Sequence, residues 1–273
     1  MLSISFLKKP PLTYYGGKQQ LSKRIIPLIP EHKVYDEPFF GGGAIFFAKE
    51  PAKVEFINDV NGEVINFYQV LKDDFKALKT EINRTLHSEF QHKQAIEIYR
   101  NPEGVSKLKR AWAIWVLSHQ SFYAILCNSW KCSKQRNGAK SVGVKKLEFN
   151  EAYQLRLENT SIFCRDALNV IAATDSEETF HYIDPPYYNS DLGHYKGYSK
   201  DDFERLLKLL SRIKGKFMLS SYPSDLIDQY IQQNGWRTIE IEMQRSAGGG
   251  RKIEVITINY EPPIDESELA HAA

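Results

Sequence analysis

The sequence predicts an α/β protein in which a mostly parallel sheet ends in an antiparallel hairpin and carries an inserted, mainly helical lobe. Three observations predict it. Short apolar runs alternate with segments of helical period, the alternation stops between about residues 72 and 150, and two long β-type segments close the chain.

Residues 33–38 read as a first strand running into the turn Gly41-Gly42-Gly43, which opens a helix. Residues 53–58 read as a second strand ending at Asp59, and residues 63–71 have the apolar spacing of a helix. That spacing continues with breaks to about Phe122, and Trp112 and Trp115, three apart, are expected in the core of the lobe. Residues 131–144, rich in Ser, Gly, Asn and Lys and without an amphipathic period, read as a loop or exposed hairpin. Strands resume at residues 161–164, 179–184 and 216–221, with helices at 201–213 and 224–233. Segments 236–243 and 252–260, joined by residues 244–251, form the antiparallel edge. Residues 1–71 and 151–260 are therefore expected as one domain, 72–150 as the inserted lobe and 261–273 as a flexible tail.

The 273 residues suffice for one large core, and 42% hydrophobic with 26% charged residues is the composition of a folded globular protein rather than a disordered or collagenous one. No apolar run reaches the roughly 20 residues of a membrane helix. Residues 1–11 also lack the apolar stretch of a secretory leader, so a cytoplasmic protein is expected. Cys127, Cys132 and Cys164 have neither the even count of a disulfide framework nor the spacing of a four-ligand zinc site; reduced thiols and no metal are expected. The net charge of +2 understates the basic character, because four of the 34 acids lie beyond Tyr260, where there is no Lys or Arg. Lys131, Lys134, Arg136, Lys140, Lys145 and Lys146 occur together without an intervening acid, which suits contact with phosphate.

Asp184-Pro185-Pro186-Tyr187 directly follows a buried-type strand, where an α/β sheet presents its ligand crevice. The prolines fix the backbone and keep their carbonyls out of a helix, so a carboxylate, a rigid carbonyl and an aromatic ring converge in a way that suits a planar amine. An Asp-Pro turn that merely ends the strand is the competing reading. The glycines at 41–43 let a ligand approach the backbone closely, but Phe46 stands where a dinucleotide fingerprint needs its last glycine. Asp59 is placed to accept ribose hydroxyls or, alternatively, to cap the helix that follows, and Asp166 after the third strand has the same two readings. Tyr14-Tyr15-Gly16-Gly17-Lys18 suits closure over the carboxylate end of a ligand, or a plain turn.

Taken in order, Tyr14-Tyr15-Gly16-Gly17-Lys18, Glu37-Pro38-Phe39-Phe40-Gly41-Gly42-Gly43, Ile57-Asn58-Asp59, Arg165-Asp166-Ala167 and Asp184-Pro185-Pro186-Tyr187 resemble the Dam-like group of DNA adenine-N6 methyltransferases, over roughly residues 11–260. The resemblance implies a Rossmann-like S-adenosylmethionine-dependent methyltransferase sheet, with a target-recognition lobe inserted before the catalytic tetrapeptide. Carried over by position, it implies that Tyr14, Tyr15 and Lys18 border the cofactor and that Glu37, Phe39, Gly41 and Gly43 line its methionine end. Asp59 then takes the ribose, Asp166 the cofactor adenine, and Asp184, Pro185, Pro186 and Tyr187 the target base, with Asp184 also bordering the cofactor. An adenine amine is a poor nucleophile. Acceptance of hydrogen bonds from its two N–H groups by Asp184 and the Pro185 carbonyl directs its lone pair at the methyl donor, without a covalent enzyme intermediate. Stacking on Tyr187 contributes ~1–3 kcal/mol.

The partner so implied is double-stranded DNA, bound by a monomer that rotates the target adenine out of the stack. Asn128, Lys131, Lys134, Arg136, Asn137 and Lys140 are expected along the DNA, with a solvated loop as the competing reading. Arg245, Arg251 and Lys252 flank the hairpin joint and suit phosphate, and residues 189–199, with Tyr195 and Tyr198, are expected to order on DNA. A cytosine-C5 enzyme is excluded, because no cysteine follows a proline. Cytosine-N4 enzymes share the mechanism but more often carry Ser at the position of Asp184, and RNA or protein amide methyltransferases carry Asn there. A DNA-binding module of the same fold without catalysis is the alternative from another class.

Overall fold

The computed structural model describes residues 7, 9–189, 198–244 and 251–264, and the side chains of residues 242–244, 251 and 252 are outside that description. In chain order the elements are α1 (Ser22–Ile25), β1 (Val34–Glu37), α2 (Ala44–Ala48), β2 (Val54–Asn58), α3 (Gly62–Asp73), α4 (Phe75–Arg84), α5 (Glu89–Arg100) and α6 (Lys107–Gln120). There follow α7 (Gly138–Glu148), α8 (Ala152–Leu157), β3 (Thr160–Phe163), α9 (Ala167–Thr174), β4 (Thr179–Ile183), α10 (Lys200–Leu210), β5 (Lys216–Ser221), α11 (Asp225–Asn234), β6 (Arg237–Gln244) and β7 (Arg251–Ile258).

The seven strands are ordered β3-β2-β1-β4-β5-β7-β6. β1 pairs in parallel with β2 and β4, and β4 with β5, whereas β7 runs antiparallel to both β5 and β6. This is the expected α/β sheet with a terminal antiparallel hairpin. β4 is buried at every residue, as expected of a central strand covered on both faces, and its one histidine, His181, is paired with Asp36 of β1 at 2.8 Å. The strand order reverses between β1 and β4, the position at which open α/β sheets bind ligands.

The chain forms two compact units. One comprises residues 23–40, 52–58 and 165–273 and packs α9, α10 and α11 on the sheet through a core that includes Ile171, Ile183, Phe203, Leu206, Leu207, Phe217 and Trp236. The other comprises residues 1–22, 41–51 and 59–164 and is mainly helical. Its helices α3 to α7 start at side-chain caps: Asn61, Asp74, Ser88, Ser106 and Asn137 each accept a first-turn backbone N–H. Trp112 and Trp115 lie in its core, and the Trp112 indole donates to Thr85 Oγ1 at 2.8 Å.

Residues 131–144 are not one loop, because α7 begins at Gly138. Only Val142 of α7 is buried, so the helix lacks the apolar stripe that announces one. It is held at its ends instead. Asn137 Oδ1 accepts the Lys140 N–H at 2.9 Å, and the Lys79 ammonium donates to the carbonyls of Lys146 and Phe149. A Cβ on Gly138 would stand 2.4 Å from the His87 ring, so any larger residue there would have to displace that ring.

Candidate active site

In the sheet unit, Glu37 ends β1 and Asp184 follows β4, neighbouring strands in which Asp36 pairs with His181. Two acids of the expected site thus lie where adjacent strands leave the sheet at the switch point. The Glu37 carboxylate is buried and accepts the Tyr35 phenol at 2.7 Å; burial first and Glu37 second raise that phenol well above its ordinary range, so it remains a donor. Asp184 is half-buried and Pro185 buried. The Tyr187 phenol has two carboxylate acceptors within reach, Asp184 Oδ1 at 3.2 Å and Glu254 Oε1, while its ring meets Tyr222 edge-on at 4.5 Å. Burial and the two nearby carboxylates, Asp184 before Glu254, push this phenol far up.

Asn58, fully buried at the end of β2, ties neighbouring loops together. Its Nδ2 donates to the Pro38 carbonyl at 2.9 Å and to the Arg165 carbonyl at 3.0 Å, and its Oδ1 accepts the Arg165 N–H at 3.0 Å. Asp166 caps α9 by accepting the Leu168 and Asn169 N–H groups. Phe39 packs edge-on against Tyr198 at 6.3 Å. Tyr198 thus lies with Phe39, a residue expected at the cofactor; burial, then Asp202, raise its phenol, and Asp166 is close enough to add to the shift.

In the helical unit, Gly41 and Gly43 adopt positive φ values of 48° and 66°, which side chains rarely tolerate. The Tyr14 ring covers the first of them, since a Cβ on Gly41 would stand 3.2 Å from Tyr14 Cδ1. It is therefore Tyr14 whose ring lies on the glycine turn. Tyr15 is half-buried, and Lys18 is buried with its ammonium donating to the Gly16 carbonyl at 3.2 Å. Asp59 Oδ2 accepts the Gly41 N–H and Oδ1 the Asn61 N–H, both at 2.8 Å. Burial raises the Asp59 carboxyl, against the opposing pull of these two donors. The cap of α3 is Asn61, not Asp59, and Asn61 Nδ2 also donates to the Tyr99 phenol at 2.9 Å. Val60, next to Asp59, is apolar yet 78% exposed.

The basic run divides in two. Lys131, Lys134, Arg136 and Lys140 are exposed and make no ion pair among the described residues, whereas Lys145 pairs with Glu148 at 3.1 Å and Lys146 donates to the Asn83 carbonyl. Asn128 and Asn137 make local bonds, to the Phe122 carbonyl and the Ser129 N–H and to the Lys140 N–H respectively. Arg245 and Tyr195 lie outside the described residues, as do the side chains of Arg251 and Lys252; most of loop 189–199 and of tail 261–273 also falls there. Between α6 and α7, Tyr123, Ala124 and Cys127 hold positive φ without being glycine, and the Phe122 and Tyr123 rings are exposed with centroids 4.2 Å apart. Backbone strain of this kind gathers at functional sites. Among the described residues no helix is long and apolar enough to cross a membrane, and no group of three His, Cys, Asp or Glu is placed to hold a metal ion.

Asn58, Val60, Tyr99, Tyr123 and Glu254 are not singled out by the sequence as candidates. Glu254 had a usable signal, an acid at an inward position of an apolar strand. Tyr123 and Tyr99 had none, since left-handed backbone and a long-range partner leave no mark on composition.

A family model described as D12 class N6 adenine-specific DNA methyltransferase matches residues 14–246. The chain is 30% identical to the Type II methyltransferase M1.LlaDCHI of Lactococcus lactis subsp. cremoris, over 92% of this chain and 95% of that protein. It is 28% identical to the Type II methyltransferase M.MjaIII of Methanocaldococcus jannaschii, over 92% and 99%. A third relative, the DNA N-6-adenine-methyltransferase of Escherichia phage P1, is 29% identical over 85% of this chain and 32% of its own length. The chain belongs to the family of D12 class N6 adenine-specific DNA methyltransferases.

Proposed function

We propose that the chain transfers a methyl group from S-adenosylmethionine to N6 of an adenine turned out of double-stranded DNA, directly and without a covalent enzyme intermediate. The observation that carries this reading is the placement of Glu37 and Asp184 at the ends of adjacent strands where the strand order reverses. The donor chemistry fits the cofactor residue by residue. Asp59 keeps unused lone pairs for a vicinal diol, Val60 offers an exposed apolar face, and the turn at Gly41 leaves no room for a side chain beneath Tyr14. Glu37, Phe39, Gly43, Lys18 and Asp166 keep the roles implied by the resemblance, and the position of Tyr198 against Phe39 supports a cofactor role for it.

S-adenosylmethionine, when bound, supplies the electrophilic methyl group. Asp184 and the Pro185 carbonyl accept hydrogen bonds from the two N–H groups of the amine and so turn its lone pair out of conjugation. Tyr187 stacks on the base, and Pro186 holds the tetrapeptide rigid. In this reading residues 72–150 form the target-recognition lobe, and Lys131, Lys134, Arg136 and Lys140 meet phosphate. The enzyme then works in the cytoplasm as a monomer and needs no metal ion. Incubation of the purified protein with tritiated S-adenosylmethionine and duplex DNA, followed by digestion to nucleosides, tests it. Label in N6-methyladenine is expected; label in N4-methylcytosine, or DNA binding without label, would overturn it.

A further inference from the structure

Glu254 is a carboxylate in the interior of β7, 1% exposed, in a strand whose other buried side chains, among the described residues, are apolar or Thr. A buried carboxylate costs several kcal/mol unless donors satisfy it, so an acid here is dear as a mere structural choice. It accepts a hydrogen bond from the phenol of Tyr187, a member of the tetrapeptide assigned above to the target base.

Tyr187 has one hydrogen to give and two carboxylates within reach, Glu254 in close contact and Asp184 Oδ1 at 3.2 Å. A phenol hydrogen directed at Asp184 would occupy an acceptor site that the amine requires. Directed at Glu254, it anchors the ring at its far end, while Tyr222 packs edge-on against it. Burial keeps the phenol protonated, so the donor persists through the working range of pH. We infer that Glu254 is a positioning residue for methyl transfer: by accepting the Tyr187 phenol hydrogen, it locks the stacking ring and keeps that hydrogen off Asp184. The inference rests on the transfer reading given above and assigns Glu254 a part in it.

The test is a mutant cycle on the full chain. Rates of tritium transfer into duplex DNA, with kcat and KM for both substrates, are measured for wild type, Glu254→Gln, Glu254→Met, Tyr187→Phe and the Glu254→Met/Tyr187→Phe double variant. The shift of Tm by S-adenosylhomocysteine reports folding. Glu254→Met, close in volume but unable to accept, is expected to lose ~10–100-fold in kcat, with KM for S-adenosylmethionine within ~2-fold. Glu254→Gln, whose amide oxygen still accepts the phenol, is expected to stay within ~5-fold of wild type. With Tyr187→Phe in place, Glu254→Met should cost less than ~2-fold more, since no phenol is left to position. If Glu254→Met does not fold, Glu254→Ala takes its place in the cycle. Losses that multiply in the double variant, an unchanged kcat in Glu254→Met, or a Glu254→Gln as impaired as Glu254→Met would each overturn the inference. A wild type that labels no DNA, or an Asp184→Ala variant with normal turnover, would instead strike the transfer reading itself.

Discussion

Asp59 accepts the backbone N–H of Gly41 on one carboxylate oxygen and that of Asn61 on the other, each at 2.8 Å. The acid is thus held in place before any ligand arrives, and a diol can bind without ordering a loose side chain. Asp59→Ala is expected to weaken S-adenosylmethionine binding by ~10–100-fold, measured by calorimetry. An unchanged affinity would remove Asp59 from the ribose role.

The four exposed cations of the basic run and the two employed in packing predict different outcomes. Neutralising Lys134, Arg136 and Lys140 together should lower the salt dependence of DNA binding, reducing the slope of log affinity against log salt by ~2–3. Neutralising Lys145 and Lys146, which hold Glu148 and the Asn83 carbonyl, should leave the slope in place and lower Tm. Equal slopes for wild type and the triple variant would return the run to ordinary surface.

Much of this was legible in the residues themselves. β1, β2, β4 and β5 are short segments rich in β-branched and aromatic residues and largely buried, as in a parallel sheet covered on both faces, and proline marks where β1 and β4 leave it. Asp184-Pro185-Pro186-Tyr187 was readable for the same reason, since it sits at a strand end. α7 was not, because a helix held by its ends and burying only Val142 has no period to detect. Nor was the division of labour between Asp59 and Asn61. They are two residues apart and both suit a helix cap, and only the position of the Gly41 amide decides which one serves.

The left-handed turn at Tyr123 stores strain that a glycine would relieve. Tyr123→Gly is expected to raise the unfolding free energy by ~0.5–1 kcal/mol while raising KM for DNA, because an exposed aromatic is lost from the lobe. Urea denaturation and steady-state kinetics check the two halves; a destabilised variant with normal KM would show that the ring is there for packing.

His119 makes stability sensitive to acid. Its Nε2 lies 3.1 Å from the Pro11 carbonyl and its Nδ1 3.3 Å from Thr13 Oγ1, so the neutral ring ties the end of α6 to the segment that leads into Tyr14. Burial, with Lys145 second, pushes the imidazole down to about 3. A depressed histidine contributes stability that is present above its unfolded value of about 6.5 and is lost as pH falls toward the folded one. Between pH 6.5 and 4 the unfolding free energy of wild type should fall more steeply than that of His119→Gln, as measured by urea denaturation across the range. Parallel curves would contradict this.

The central claim is that Asp184 acts on the amine in the transfer step and not in holding DNA. Single-turnover transfer by Asp184→Ala, measured beside its DNA affinity, tests it most directly. Loss of transfer by at least ~100-fold is expected, with DNA affinity within a few-fold of wild type. Near-normal transfer, or a loss fully explained by weakened DNA binding, would contradict it.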